Sequence, residues 1–344
     1  MYKHYVKKIF HLFWISIAVL FLLNYFIDPY GYQKRDGKFI KNLSMFNKPN
    51  VTNARINSDG YYYLIGSSRM ARVDPNIIEA YSKKETHNIK LDGATLKENT
   101  FIASKVKENG RFFIYSFDAF SNNISRQKNH EINIRHAAYV NELKNFDFIL
   151  RYFNSDITIR SIQHLLKKIN GEKIYKQYLE QNSLYSSFSF DHALNSTGVL
   201  NNNDKSNFLN YESYPLKDIA HLAKLGKKND IFIIFPKYFV FYSLFAEYQE
   251  IEKKYFSAIR ELVHQTDAQV WSFYGVNDIT IEKSNFIDNG WHFKPQVSNI
   301  MFDQIFNYKE KDKFNKVGIL LTKDNVDFYL DNMSEEILKI VKSN

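Results

Sequence analysis

The sequence contains no cysteine, which removes a disulfide framework, thiolate chemistry and Cys-ligated zinc, and leaves export neither supported nor opposed. It has no Walker A run and no GxGxxG, the glycine-rich loops that cradle phosphates. No His-Glu-x-x-His or similar pairing gathers ligands for a metal, so neither a metal nor a cofactor is expected. The formal net charge of +9 is spread over single residues and Lys-Lys pairs with no basic block, the pattern of a solvated surface and not of a nucleic-acid-binding tail. Internal repeats and low-complexity domains are missing too.

One long stretch lacks charge altogether. Residues 9–27, IFHLFWISIAVLFLLNYFI, carry no formally charged side chain. A helix of about 20 apolar residues is what the hydrocarbon core of a bilayer requires. Lys3, Lys7 and Lys8 precede this run and Asp28 and Pro29 follow it. The positive-inside rule therefore leaves the N-terminus in the cytoplasm and sends the rest across. A cleaved signal peptide is the competing reading, but the run is long for one and no small-x-small site follows it. The best later stretch, 231–244, is interrupted by Pro236 and Lys237. The expected protein is a single-pass type II protein of the cytoplasmic (inner) membrane: a cytoplasmic tail (1–8), a transmembrane helix (9–27), a juxtamembrane linker (28–56), and a periplasmic or extracellular domain.

Beyond the anchor, 44% hydrophobic and 24% charged residues match an ordinary globular protein with a packed core. The 17% aromatic content follows from a Lys/Asn/Ile-rich vocabulary. Short apolar runs alternate with helical patterns, which argues for an α/β domain with a parallel sheet. Strands are expected at 61–66, 87–93, 111–118, 230–236 and 269–275, and helices near 75–82, 96–108 and 295–306. The predicted fold is a three-layer α/β/α sandwich around a five-stranded, mainly parallel sheet. It occupies 57–311, with an insertion at about 125–213, and a C-terminal strand and helix fill 312–344. The roughly 110 residues between the third and fourth strands exceed what a crossover needs. They include a helical pattern at 157–169 and a Ser/Asn-rich stretch at 183–210, read as an irregular surface excursion with a lid or a partner surface as the alternative. In the terminal helix Ser334 precedes Glu335 and Glu336, which suits an N-terminal cap.

Ligands of open parallel sheets bind beyond the carboxyl ends of the strands. The residues there are Gly66, Ser67, Ser68 and Arg69 after the first strand, Asp92 and Gly93 after the second, and Asp118 after the third. Asp288 and His292 come later, in FIDNGWHFKPQV. A serine hydroxyl becomes a useful nucleophile when an imidazole takes its proton and a carboxylate fixes the imidazole tautomer. Ser68, His292 and Asp288 have the chemistry for those three roles, and the N–H groups of Ser68 and Gly93 for an oxyanion site. Each residue taken singly also has a structural reading, as a turn or a helix cap. There is no GxSxG elbow, which excludes an ordinary α/β-hydrolase.

The order of a serine after the first strand, a glycine after the second and a late Asp/His pair resembles the SGNH (GDSL-like) hydrolase superfamily, over about 61–306. LIGSSRMARVDP, NIKLDGATLKE, SFYGVNDIT and DNGWHFKPQV look more closely like membrane-anchored bacterial SGNH-like proteins that occur with cell-envelope polysaccharide functions. The resemblance implies an SGNH/flavodoxin-like sheet, nucleophile Ser68, base His292, orienting Asp288, and oxyanion positions at Ser68, Gly93 and Asp118. Two departures accompany it. Asp118 stands where the superfamily has an oxyanion asparagine, and it donates only when protonated; Asn122, Asn123 or a missing third donor are the alternatives. Asp288 and His292 are separated by three residues and not two. What the resemblance implies is an esterase or O-acyltransferase acting on acyl, principally acetyl, esters of a cell-envelope glycan, with a multi-spanning membrane acyltransferase as possible partner. The alternative is a catalytically inactive binding or assembly subunit of a polysaccharide machine.

Overall fold

Strands buried on both faces need continuous apolar runs instead of alternating ones, and YYLI, FFIYS and IFII have that character. The computed structural model describes residues 2–27, 56, 60–89, 91, 93–128, 152, 157–159, 161, 162, 165, 166, 210–239, 249–287, 290–307 and 317–343. Five strands carry the centre: β1 (Tyr62–Ile65), β2 (Thr86–Asn88), β3 (Phe112–Ser116), β4 (Ile231–Ile234) and β5 (Gln269–Ser272). They pair in parallel in the order β2-β1-β3-β4-β5. A separate antiparallel pair is made by β6 (Phe286–Ile287) and β7 (His292–Phe293). Finally β8 (Ile319–Leu321) adds an antiparallel edge strand against β5. The sheet thus has six strands where five were expected, because the C-terminal run at 318–321 joins it.

The first helix, α1 (Tyr2–Ile27), is long and apolar enough to cross a membrane. The others are α2 (Pro75–Ser82), α3 (Leu96–Glu108), α4 (Leu216–Leu225), α5 (Gln249–Gln265), α6 (Pro295–Asn307) and α7 (Val326–Ser343). Their starts follow capping chemistry. Asp74 accepts from the Asn76 N–H ahead of Pro75, and Thr95 and Glu98 form a reciprocal capping box. The Ser334 cap is not observed: α7 begins at Val326, and Ser334 lies in its interior. The apolar spacing Leu330, Met333, Ile337 continues through that position and sets the helix.

Period-two alternation divides the strand side chains between two cores. Tyr63, Ile65, Phe113, Tyr115, Phe232 and Ile234 join residues of α3, α4, α5 and α7. Leu64, Ile114, Ile231, Ile233 and Trp271 join residues of α2 and α6. Each of these fully buried large side chains contributes roughly 1.5–3 kcal/mol relative to exposure. The strand order reverses between β1 and β3, the switch point at which crevices form in such sheets. Of the insertion, the described residues within 157–166 are helical, and the stretch 183–209 lies outside the described residues.

Candidate active site

The chain leaves β1 through Gly66, Ser67 and Ser68 and tightens at once into a 3-10 turn over Met70–Arg72. The Met70 N–H bonds the Ser67 carbonyl and the Ala71 N–H bonds the Ser68 carbonyl. Small residues are required here: a Cβ on Gly66 would stand 2.7 Å from the Ser116 Cβ on the neighbouring strand. Ser67 is buried, whereas Ser68 is half-buried. Among the described residues no acceptor takes the Ser68 N–H.

His292 arrives from the other end of the domain. It pairs with Ile287 across β6 and β7, and its strand is tied to the region after β4 by a hydrogen bond from the Tyr238 N–H to the Gly290 carbonyl. This brings His292 Nε2 to 2.8 Å from Ser68 Oγ. When Nδ1 carries the ring proton, Nε2 accepts from the hydroxyl, the arrangement of a general base addressing a nucleophile. Asp288, expected to orient the imidazole, lies outside the described residues, as does Asp92.

Asp118 is brought to the same switch point in a different role. Its carboxylate accepts from Ser67 Oγ at 3.2 Å, from the Ser121 N–H at 2.8 Å, and at longer range from the Ser121 and Ser116 hydroxyls. It therefore braces the turn that carries Ser68, as an acceptor. The two asparagines named as alternative donors are engaged in the loop. Asn122 donates to Ser213 Oγ and Tyr211 Oη, and Asn123 Oδ1 accepts from the Ser125 and Glu212 N–H groups.

Beyond β2 the chain keeps pairing with β1: the Ile89 N–H bonds the Leu64 carbonyl and the Leu91 N–H bonds the Gly66 carbonyl. That register sets Leu91, two residues before Gly93, beside Gly66. Gly93 has φ 64°, the left-handed conformation that favours glycine. Its carbonyl accepts from Arg126 Nη2 at 2.8 Å while Arg126 also bonds the Phe120 carbonyl, so the loops after β2 and β3 are tied together.

Two cations near this turn went unassigned in the sequence. Arg69 is 1% exposed, donates to the Pro236 carbonyl, and lies over the rings of Phe235, Trp291 and Phe293 at 5.6–6.0 Å. Lys237, also 1% exposed, sits 4.8 Å from the Trp291 ring. Burial pushes the Lys237 ammonium well below the usual lysine range, Arg69 adds to the effect, and Asp118 opposes it. The available signal was a lysine embedded in the apolar run FIIFPKYF.

A cavity of about 320 Å³ between α3 and α4, lined by Leu96, Phe101, Tyr214 and His221 among others, contains neither Ser68 nor His292. Among the described residues no three His, Asp or Glu side chains converge to hold a metal ion. Compared with protein-family models, the chain matches none. Neither curated proteins nor solved structures show a significant similarity to it.

Proposed function

We propose that this protein is a membrane-anchored, SGNH-like serine esterase or O-acyltransferase acting on acyl, principally acetyl, esters of a cell-envelope polysaccharide. The observation that carries the reading is the 2.8 Å approach of Ser68 Oγ to His292 Nε2 beyond the carboxyl end of β1. The two cores on opposite faces of the sheet support a three-layer α/β/α arrangement of the kind the SGNH resemblance implies. The apolar α1, with Lys3, Lys7 and Lys8 at its start, supports a type II anchor with the domain outside the cytoplasm.

In this mechanism His292 takes the Ser68 proton as Oγ attacks the ester carbonyl, and the N–H groups of Ser68 and Gly93 receive the negative oxygen of the tetrahedral intermediate. Collapse expels the alcohol, which takes its proton from His292, and leaves an acyl group on Ser68. Water or a glycan hydroxyl, deprotonated by His292, then attacks that acyl-enzyme; the first outcome is hydrolysis and the second transfer. No acetyl-coenzyme A is at hand outside the cytoplasm, so transfer requires an acyl donor delivered through the bilayer, the task of a multi-spanning partner.

The test is treatment of the full-length protein in detergent with a fluorophosphonate probe and an aryl acetate. Ser68 is expected to be the labelled residue, with labelling abolished by Ser68→Ala and lowered about 10²–10⁴-fold by His292→Ala. Labelling unaffected by Ser68→Ala would sink the assignment. The second reading, a non-catalytic assembly subunit, is favoured by one observation: Asp118 accepts hydrogen bonds where an oxyanion donor is needed. A chain that neither labels nor turns over ester, alone or with its membrane partner, has that second role.

A further inference from the structure

Beyond the lysines of its first turns α1 is largely apolar, and most of it is uncovered: Ile9, Phe13, Trp14, Val19 and Phe26 are each more than half exposed. One polar side chain interrupts its last turns. Asn24 is 1% exposed, and its amide donates to the Tyr152 carbonyl at 2.7 Å and to Thr158 Oγ1 at 2.9 Å. Tyr152 also packs on the rings of Phe21 and Tyr25 at 5.6 and 5.5 Å. An amide in hydrocarbon is costly unless it is bonded, so these contacts fix Tyr152 and Thr158 against the distal end of α1.

That end has a defined depth. Asn24 lies three residues before the end of α1 at Ile27, about 4.5 Å along a helix axis. Tyr152 and Thr158 are therefore held at the outer edge of whatever bilayer α1 crosses. The helical residues that follow them are divided by face. Ile157 and Ser161 are buried, while Ile159, Ile162 and Leu166 are 54%, 44% and 53% exposed, with Leu165 beside them at 38%. Residues spaced by three and four lie on one side of a helix. An exposed face made of aliphatic side chains, next to a membrane span, is unsuited to water. It is continuous, through Tyr152, with the uncovered apolar surface of α1.

We propose that the described helical residues after Thr158 lie in the outer leaflet beside α1, with Ile159, Ile162, Leu165 and Leu166 against lipid acyl chains. The insertion is then a second membrane contact, holding the catalytic domain at the bilayer surface in one orientation. This rests on reading α1 as the anchor.

The absence of native cysteine makes the test direct. Single cysteines are introduced in the full-length chain at Ile162 (Ile162→Cys), at Ile15 within α1 (Ile15→Cys) and at exposed Asp267 (Asp267→Cys). Each is labelled with an environment-sensitive fluorophore and the protein is reconstituted alone in phosphatidylglycerol/phosphatidylethanolamine vesicles carrying shallow or deep nitroxide lipids. The Ile162 label is expected to be blue-shifted relative to Asp267 and to lose most of its emission to shallow nitroxides, with Ile15 quenched by deep ones. Ile15 quenched and Ile162 matching Asp267 overturns the lipid contact while leaving the anchor intact, and points to a protein partner on this face. Ile15 unquenched overturns the anchor and this inference together.

Discussion

The guanidinium of Arg69 lies 5.8 Å from the indole of Trp291, so the residue after Ser68 is stacked on the residue before His292. Phe293, on the other side of His292, packs on the same guanidinium at 6.0 Å. Arg69 thereby holds the two candidate catalytic side chains in mutual register, although it touches neither reacting atom. Arg69→Met retains the length and the apolar packing but removes the bond to the Pro236 carbonyl and the planar stack. A displacement of about 1 Å between base and nucleophile costs roughly 10²-fold in rate. The time course of fluorophosphonate labelling is expected to slow by about 10- to 100-fold, with folding preserved by circular dichroism. Unchanged labelling kinetics would show that the pair is aligned without it.

Asp118→Asn restores the residue type of the oxyanion asparagine, yet no gain in activity is expected. The side chain faces Ser67 and Ser121, and an amide in place of the carboxylate turns a donor toward groups that already donate. The loss is about 1–3 kcal/mol of stability, measured by urea unfolding. A faster labelling rate in this variant would mean that position 118 addresses the oxyanion after all.

Lys237→Met should stabilise the fold, and the gain should depend on pH. A lysine whose pKa is depressed in the folded state binds fewer protons there than in the unfolded chain. Stability of the native sequence therefore rises with pH from the depressed value up to the ordinary lysine range, where the penalty disappears. The Tm difference between variant and wild type is expected to be positive at pH 7 and to shrink toward pH 10. A difference independent of pH would place the effect in packing and not in the buried ammonium.

Asp230 offers a control far from the chemistry. Its fully buried carboxylate accepts from the Phe113 and Lys227 N–H groups and from Lys107 Nζ at 2.7–2.8 Å, tying the starts of β3 and β4 together. Asp230→Ala strands Lys107 and two amides, with an expected cost of about 3–5 kcal/mol in unfolding experiments. At low temperature, where the variant stays folded, labelling at Ser68 should keep its wild-type rate.

The central strands were legible because continuous apolar runs have few other uses in a chain of this composition. Ser68 was singled out because strand-end position narrows the field to a handful of polar residues, and His292 as half of a late Asp/His pair; the structure brings those two side chains together. Arg69 and Lys237 were not, because a buried cation is stabilised by rings and carbonyls distant in sequence: Trp291 and Pro236 have no local relation to Ser68. The cap assigned to Ser334 failed for the opposite reason. A local Ser-Glu-Glu signal was outweighed by apolar spacing that runs through it on a helix beginning eight residues earlier. Asp118 follows β3 and lies beside the turn, but which way its hydrogen bonds run depends on Ser67 and Ser121, which only the folded loop reveals.

The hydroxyl and imidazole that meet at 2.8 Å are 224 positions apart in the chain. Such a contact closes late, after the sheet between them has been laid down strand by strand. A chain made from its N-terminus onward has Ser68 early and acquires His292 only near the end of its synthesis. Until then the serine is an ordinary alcohol. On the proposed reading, copies cut short before His292 would carry the serine without its base, so any acyl chemistry would begin only with molecules that had completed their own assembly.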